Sequence, residues 1–426
     1  MEFGKWYNGI GISKKVSNSF DDLQNCSVHE EIGSLMCQRT LTKKSGSTIT
    51  AGCFSAVVPN GDTYFFSKTD GKVWKRAISD GTYTLVNTNA NGAHKGCAYY
   101  RNYLYYTSDS KLGRFDLSAT WTDSWQTLTA GYPHPLFQFD LILYIGNQYN
   151  VASVDDAGVF SASVLDLQIE DSIGALTNLG DDLLTLSNPG SYINDSNITR
   201  WNTFGDSYSV KDTIKQKGAY AFLDSDNYIH VVCLSGDIYL YNGNQLELFS
   251  NIRNAAATTG HQLTTNFQGK PLIANGGRIY SLHRRNRNLP FALVGEYTCS
   301  AGSDATIHSI VANGSQLLVS WELSGTFGVD EIDANYFANA RVITPRFKKA
   351  NKIKVFYDDL NGASIGIYTR LDSESNWTSH TVIDDSDDQR CVQTVDDMII
   401  KSGAQALITI TPSGTESPVI DYISIE

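Results

Sequence analysis

The side chains in this sequence that could hold a ligand are aromatic and basic residues in loop-like stretches. Trp121 and Trp125 flank a short polar stretch, and their indole faces could stack on sugar rings. Further along the chain, Arg284, Arg285 and Arg287 form a basic cluster, which by itself does not make a carboxylate clamp and indicates a solvated loop or a partner contact. A structural role for the tryptophans and a solvated loop for the arginines are the favoured interpretations. We therefore keep these five residues as candidate ligand or partner contacts only.

Residue types that bind metals are present, but their spacing does not predict a metal site. The eight histidines never form a pair at ligand spacing, and the seven cysteines contain no Cys-x-x-Cys motif. We expect the cysteines to be reduced and packed as small hydrophobic residues. The acidic run from Asp384 to Asp388 could collect Ca²⁺, yet it lacks the glycine and distal glutamate of an EF-hand loop. The sequence thus predicts no metal site and no cofactor, and it favours a solvated turn at this run.

Catalytic motifs are also missing from the sequence. It contains no HExxH, GxSxG, Walker loop or dinucleotide fingerprint. The stretch SKTDGKVW, which begins at Ser67, partly resembles the aspartate box of sialidase-type propellers, a structural turn, but Asp70 directly precedes Gly71. We therefore predict no catalytic residue and no enzyme. A glycoside hydrolase is the weaker alternative, because it needs two carboxylates at a defined separation and these can come from distant parts of a chain.

Charge and hydropathy exclude several classes of partner. The 426-residue chain has a net charge of -12, which disfavours non-specific nucleic-acid binding because that binding depends on neutralising phosphates. The same charge disfavours an anionic membrane surface. No apolar run reaches the roughly 18 residues of a membrane span. The first residues also lack the pattern of a signal peptide, so we expect synthesis in the cytoplasm.

A repeated β-hairpin organises most of the chain. Two short apolar runs joined by a turn recur in DTYFFSKTDGKVWKR, NYLYYTSDSKLGRF and YIHVVCLSGDIYLY. The spacing of roughly 40–45 residues, with about four strands per repeat, indicates β-propeller blades. Anchors of the first run in each hairpin are Tyr64, Tyr103, Ile142, Leu183, Tyr228, Leu272 and Leu317. They predict an all-β propeller of about seven blades, with six or eight blades or an irregular β-sandwich as alternatives.

Changes in the residue pattern along the sequence predict three segments. Residues 1–47 should form a lead-in that packs on or completes the propeller, and residues 48–340 should form the propeller itself. The stretch DEIDANYFANA at 330–340 suggests a short helix or linker. Evenly spaced strands with alternating apolar residues follow, and they predict a small antiparallel β-sandwich over residues 341–426.

Several stretches in the last third of the chain resemble a known protein class. They are GVDEID at 328–333, ARVITP at 340–345, KIKV at 352–355, SIGIYTRLD at 364–372 and NWT at 376–378. These stretches are similar to the C-terminal part of tail-associated virion proteins of tailed bacteriophages, in which a propeller-like region precedes a small β-sandwich. The resemblance also includes EIGSL at 31–35, near the start of the chain.

The resemblance implies a structural role in a phage particle, as a hub, adaptor or fibre-attachment protein of the tail. The expected partners are other virion proteins, with several copies in a larger assembly. The expected location is the tail region of the virion, after synthesis in the host cytoplasm. Binding of a carbohydrate or host receptor is the alternative function, with a host surface glycan as the ligand.

Overall fold

The computed structural model describes residues 2–3, 20, 22–28, 34–190, 195–216, 218–225, 228–252, 255–256, 260–283, 291–347, 350, 352–358, 360–384, 392–395, 403–414 and 416–426. All regular secondary structure in these residues is β-strand. The first strands are β1 (Glu2–Phe3), β2 (Asp22–Gln24), β3 (Cys26–Ser27), β4 (Met36–Cys37) and β5 (Arg39–Lys43).

The repeated hairpins follow as a regular succession of strands. They are β6 (Cys53–Val57), β7 (Thr63–Ser67), β8 (Lys72–Arg76), β9 (Tyr83–Thr88), β10 (His94–Tyr100), β11 (Tyr103–Ser108), β12 (Lys111–Phe115), β13 (Trp121–Thr127), β14 (Leu136–Phe139), β15 (Ile142–Asn147), β16 (Asn150–Val154), β17 (Phe160–Asp166), β18 (Asp171–Leu179), β19 (Asp182–Pro189), β20 (Ser196–Trp201), β21 (Val210–Ile214), β22 (Ala219–Ser225), β23 (Tyr228–Cys233), β24 (Asp237–Tyr241), β25 (Leu246–Asn251), β26 (Thr264–Phe267), β27 (Lys270–Asn275), β28 (Arg278–His283), β29 (Ala292–Thr298), β30 (Thr306–Asn313), β31 (Gln316–Leu323) and β32 (Thr326–Tyr336). The last strands are β33 (Ala340–Ile343), β34 (Ile353–Tyr357), β35 (Ser364–Leu371), β36 (Thr378–Ile383), β37 (Val392–Val395), β38 (Ala404–Thr411) and β39 (Ile420–Ile425).

The chain divides into two compact units. The propeller unit consists of Lys43–Gly277 and Ala301–Glu331, and the terminal unit consists of Met1–Thr42, Arg278–Ser300 and Ile332–Glu426. No helix in the described part of the chain is long and apolar enough to span a membrane.

The propeller unit is built from up-and-down antiparallel sheets of four strands. Blade 1 is β6–β9, blade 2 is β10–β13, blade 3 is β14–β17, blade 4 is β18–β21 and blade 5 is β22–β25. Blade 6 contains β30, β31 and the first part of β32, up to Glu331, and the segment that begins at Lys43 lies beside it. In it, the Lys44 N–H donates to the Val329 carbonyl at 3.0 Å. The hairpin β26–β27 fills the ring between blades 5 and 6, and β6 packs on both β10 and β30.

This topology confirms the predicted all-β propeller. Six complete blades lie within the predicted range of six to eight. Each of the seven sequence anchors lies in the second strand of its blade or hairpin, from Tyr64 in β7 to Leu317 in β31. The second strands are almost entirely buried because neighbouring blades cover both of their faces, as in β11 and β15.

Aromatic side chains fill the layers between blades. Phe66 of blade 1 stacks on Tyr106 of blade 2, with ring centroids 5.4 Å apart. Tyr144 of blade 3 meets the edge of Trp201 of blade 4 at 6.0 Å. One four-stranded sheet cannot cover its own apolar faces, so these layers hold the ring together.

The predicted helix or linker at 330–340 is wrong for most of its length. Residues up to Tyr336 continue β32, and the next strand, β33, begins at Ala340. Sheet partners override the local sequence here, because the Asp330 side chain accepts a hydrogen bond from the Trp321 indole at 2.6 Å in the neighbouring strand.

The terminal unit contains two main sheets. Within the first, strands run in the order β28-β29-β2-β33-β38-β35-β36, and the second has the order β1-β39-β34-β37. The first strand of the chain thus pairs with the last, with Glu2 opposite Ser424. Strands after residue 340 share both sheets with earlier parts of the chain, so a separate C-terminal sandwich over 341–426 stays a prediction.

Candidate functional site

The first strand of each blade is its inner strand, and four of these inner strands contain one extra residue. The pairing register shifts between His94 and Gly96, which makes Lys95 the additional residue of a β-bulge in β10. The same irregularity occurs at Gly174 in β18, at Tyr220 in β22 and at His308 in β30. A bulge bends a strand and can redirect a side chain. Lys95, Gly174 and Tyr220 all line one cavity.

This cavity, which we call the axial pocket, has a volume of about 410 Å³. It receives residues from the first strand or adjoining loop of blades 1 to 5 and from the segment before β26. Its wall includes two cations and several rings: Lys68, Lys95, Phe54, Tyr132, Tyr220 and His261. No aspartate or glutamate is among the described residues that line it.

Lys68 is fixed in the pocket wall by its neighbours. Its Nζ lies 3.3 Å from Nδ1 of His308, and Nε2 of His308 lies 3.1 Å from a carboxylate oxygen of Glu322. An ammonium donates only, so His308 accepts through Nδ1 and donates to Glu322 through Nε2–H. Burial and the nearby charge of Lys68 lower the pKa of His308, which agrees with a neutral ring. Burial likewise lowers the pKa of Lys68, and the charge of Lys95 lowers it further.

An aromatic pair continues the wall beside Lys68. The Lys68 ammonium lies 5.0 Å from the centre of the Phe54 ring, a cation–π contact. Phe54 in turn stacks on His261 with centroids 5.2 Å apart. Burial and the charge of Lys68 lower the pKa of His261 to about 3. His261 Nε2 is buried and has no hydrogen-bond partner among the described residues.

Gln262 links three segments directly beside the pocket. Its Oε1 accepts from the Ser55 N–H and its Nε2 donates to the Cys97 carbonyl, both at 2.8 Å. Ser55 and Cys97 belong to the inner strands of blades 1 and 2, whereas Gln262 precedes β26. A second cavity of about 320 Å³ is lined by both His261 and Gln262, so the two cavities meet at the His261 ring.

The close approach of inner strands explains a glycine in β10. A Cβ atom at Gly96 would lie 2.5 Å from the His134 carbonyl and 2.9 Å from His261 Nε2. Backbone atoms cannot yield to such a contact, so only glycine fits here.

The predicted contact tryptophans lie in the layers between blades. Trp121 stacks on Phe115 with centroids 4.0 Å apart and also meets the rings of Tyr64 and Tyr106. Trp125 lies under the Arg114 guanidinium at 4.4 Å. Both residues keep part of their surface exposed on β13. The structure does not bring them into the axial pocket.

The other sequence-derived candidates lie outside the described residues. These are Arg284, Arg285 and Arg287, together with the acidic run at 385–388. Among the described residues, no group of three or more His, Cys, Asp or Glu side chains could hold a metal ion. The described part of the aspartate-box-like stretch forms a turn in which Ser67 Oγ accepts from the Thr69 and Asp70 amides.

Sequence reasoning missed the axial pocket. Lys68, Lys95 and His261 are isolated in the sequence and follow no motif. Glycines recur near the inner strands, but they give no usable signal, because Lys95 directly precedes Gly96 whereas Tyr220 lies two residues after Gly218.

Comparisons with known proteins support the propeller fold, and they assign neither a family nor a function. No protein-family model matches the chain, and no curated protein sequence matches it. A streptogramin B lyase structure superposes with a TM-score of 0.52 at 9% identity, covering 70% of this chain and 98% of the lyase. Virginiamycin B lyase from Staphylococcus aureus gives 0.52 at 13% identity, covering 69% and 99%. The Dos1 propeller gives 0.47 at 11% identity, covering 70% and 94%.

Proposed function

We propose that this chain is a structural component of a tailed-phage virion, a tail-associated hub, adaptor or fibre-attachment protein that assembles with other tail proteins. The observation that carries the proposal is the use of carboxylates. Several buried or half-buried carboxylates of the propeller unit are engaged in bonds within and between blades. Such bonds make a rigid scaffold and leave those groups unsuited to acid–base chemistry.

Tyrosine–carboxylate pairs show this use in three places. Tyr241 donates to Asp212 at 2.8 Å, which joins blade 5 to blade 4. Tyr106 donates to Asp123 at 2.7 Å within blade 2, and Tyr83 donates to Glu331 at 2.9 Å from blade 1 to blade 6. A glycosidase instead needs two carboxyl groups aimed at one substrate bond.

The architecture of each unit suits permanent assembly. In the propeller unit, closure of the ring hides strand edges that would otherwise recruit further strands. In the terminal unit, β1 pairs with β39, so this edge of the β39 strand is covered. We suggest that loops of the propeller unit dock on one tail protein and that the terminal unit supplies a second contact.

Immunogold electron microscopy on particles purified from the source culture tests the proposal. Antibody against this chain should place gold at the tail or its attachments. Particles without gold, together with the chain in the soluble cell fraction, would refute the virion role. Antibody to a major capsid protein from the same particles is the positive control.

Binding of a host glycan is the second candidate function, and the aromatic and basic lining of the axial pocket favours it. Two of the similar structures are lyases, so an enzyme built on a propeller is a weaker candidate for the function of this chain. A glycan array tests the first idea, and release of reducing sugar from host polysaccharide tests the second. Binding lost on Trp121→Ala or Trp125→Ala would assign the glycan to blade 2 and not to the axial pocket.

A further inference from the structure

We propose that the axial pocket binds a small organic anion, with its carboxylate or phosphate held by Lys68 and Lys95 and its carbon skeleton against Phe54 and Tyr220. This inference does not rest on the virion role. It follows from the charge, the hydrogen-bonding capacity and the size of the pocket.

The charge of the pocket is opposite to that of the chain. The chain carries a net charge of -12, yet the described residues of the pocket wall include two lysines and no carboxylate. Burial and the charge of Lys95 lower the pKa of the Lys68 ammonium, while the carboxylate of Glu322, behind His308, acts in the opposite direction. Two like charges in a partly buried cavity are stabilised when an anion enters.

Several polar groups of the pocket wall can still form hydrogen bonds with a ligand. An ammonium has three donors, and the contact with His308 uses one donor of Lys68. The Tyr220 oxygen accepts from Asn275 at 3.4 Å, so its own O–H is able to donate. His261 Nε2 is buried without a partner among the described residues. A buried polar atom of this kind is normally satisfied, and the ring that carries it lines the pocket.

Two of these groups are held in position before a ligand arrives. Lys68 is held by the chain of contacts through His308 to Glu322. The Tyr220 oxygen accepts a hydrogen bond from Asn275. For Lys95, the β-bulge sets the position of the backbone. Such preorganisation lowers the entropy cost of binding.

Size and apolar surface define the class of ligand. A volume of about 410 Å³ falls within the roughly 300–1,000 Å³ of small-molecule sites, which rules out a polymer chain as the full occupant. Phe54, Tyr132 and Pro133 offer apolar surface for a carbon skeleton. Sugar acids and sugar phosphates share this chemistry of one anionic group on a compact ring.

Isothermal titration of the full chain at low salt tests the proposal with four probes: glucuronate, glucose 6-phosphate, glucose and inorganic phosphate. At least one anionic sugar should bind, and glucose should bind at least about tenfold more weakly. The better of the two sugars then tells carboxylate from phosphate recognition. The idea is refuted if glucose binds as tightly as the anionic sugars, if only inorganic phosphate binds, or if no probe binds at ~10 mM.

Variants assign the binding to the pocket. Lys68→Met and Lys95→Met keep the apolar stems and should each weaken binding about tenfold or more, whereas Lys95→Arg should retain it. Lys111→Met is the matched control, since Lys111 lies in blade 2 with Lys95 but contacts Thr127 outside the pocket. Thermal unfolding of each variant verifies the fold, and Lys95→Met decides the outcome if Lys68→Met does not fold. Unchanged affinity in a folded Lys95→Met variant would overturn the assignment.

Discussion

Arg76 and Glu331 form a buried ion pair with two parallel hydrogen bonds. Arg76 Nε donates to Oε1 at 2.7 Å, and Nη2 donates to Oε2 at 2.6 Å. Arg76 lies on β8 of blade 1 and Glu331 on β32 of blade 6, so the pair joins the two blades on either side of the ring closure. Tyr83 adds a third bond to the same carboxylate at 2.9 Å. The contact with Glu331 raises the pKa of Arg76, so the guanidinium stays charged.

Arg76→Met should lower the free energy of unfolding by about 3–5 kcal/mol, because it leaves the Glu331 carboxylate buried without its cation. Urea unfolding of the full chain measures this. Lys75→Met is the matched control: Lys75 pairs with Asp62 in a more exposed setting and should cost about 1 kcal/mol or less. Adding Glu331→Gln to Arg76→Met should recover part of the loss. If Arg76→Met and Lys75→Met lowered the free energy of unfolding equally, the buried pair would not have the proposed role in closing the ring.

Gln262→Ala should destabilise the propeller unit by about 1–3 kcal/mol. The substitution leaves the buried Ser55 N–H without its acceptor and the Cys97 carbonyl without its donor. Denaturant unfolding provides the measurement. Gln138→Ala, at an exposed position of β14, is the control and should change stability by less than about 0.5 kcal/mol. A cost for Gln262→Ala as small as the control would show that solvent replaces both bonds.

His94 should make the protein less stable in mild acid. Burial lowers its pKa to about 4, below the usual 6.5, because the ring is buried between Phe66 and Tyr106. The unfolded state therefore binds more protons between these values, so stability falls with decreasing pH from about 6.5 and levels off below about 4. The slope from this group is about 1.4 kcal/mol per pH unit. Unfolding measured at several pH values should show a shallower slope in His94→Gln, and an unchanged slope would refute the assignment to His94.

Gly113→Ala should destabilise blade 2 by about 1–3 kcal/mol through overpacking. An added Cβ would lie 2.4 Å from the Tyr106 ring, which is held in place by its bond to Asp123. Gly205→Ala is the control, because a Cβ there meets no atom of the described residues within 4 Å. Thermal unfolding should separate the two variants, and similar melting temperatures would mean that the Tyr106 ring can move.

Trp121→Ala should destabilise the layer between blades 1 and 2 by about 2–4 kcal/mol, since the stacked contact with Phe115 is lost. Trp121→Phe should retain much of the stability. Unfolding and glycan binding measured on the same samples distinguish packing from ligand contact. A stable Trp121→Ala variant that loses glycan binding would restore the ligand-contact role suggested by the sequence.

Local patterns predicted the fold because strands and turns are encoded by neighbouring residues. Alternating apolar residues and turn glycines located the second strand of every blade, including the weak repeat around Leu183. The same reasoning failed at Glu331, where a helix or linker was expected. Pairing with β31 makes this segment a strand, and the Glu331 carboxylate is bound by Arg76, 255 residues earlier in the chain. A contact between residues so far apart in the sequence cannot be predicted from a short stretch of neighbouring residues.

The sequence by itself determined the class of protein: a chain of short strands with a period of roughly 40–45 residues, which must pack sheet on sheet to bury its aromatic residues. The tertiary structure alone decided the candidate site. Lys68, Lys95 and His261 meet in one cavity only because ring closure brings distant segments of the chain together; of the three, only Lys95 lies on a β-bulge. Closure also decided the role of the segment at Lys44, whose N–H donates to the Val329 carbonyl of blade 6, far away in the sequence. Such pairings are set by the geometry of the whole ring, which no local pattern contains.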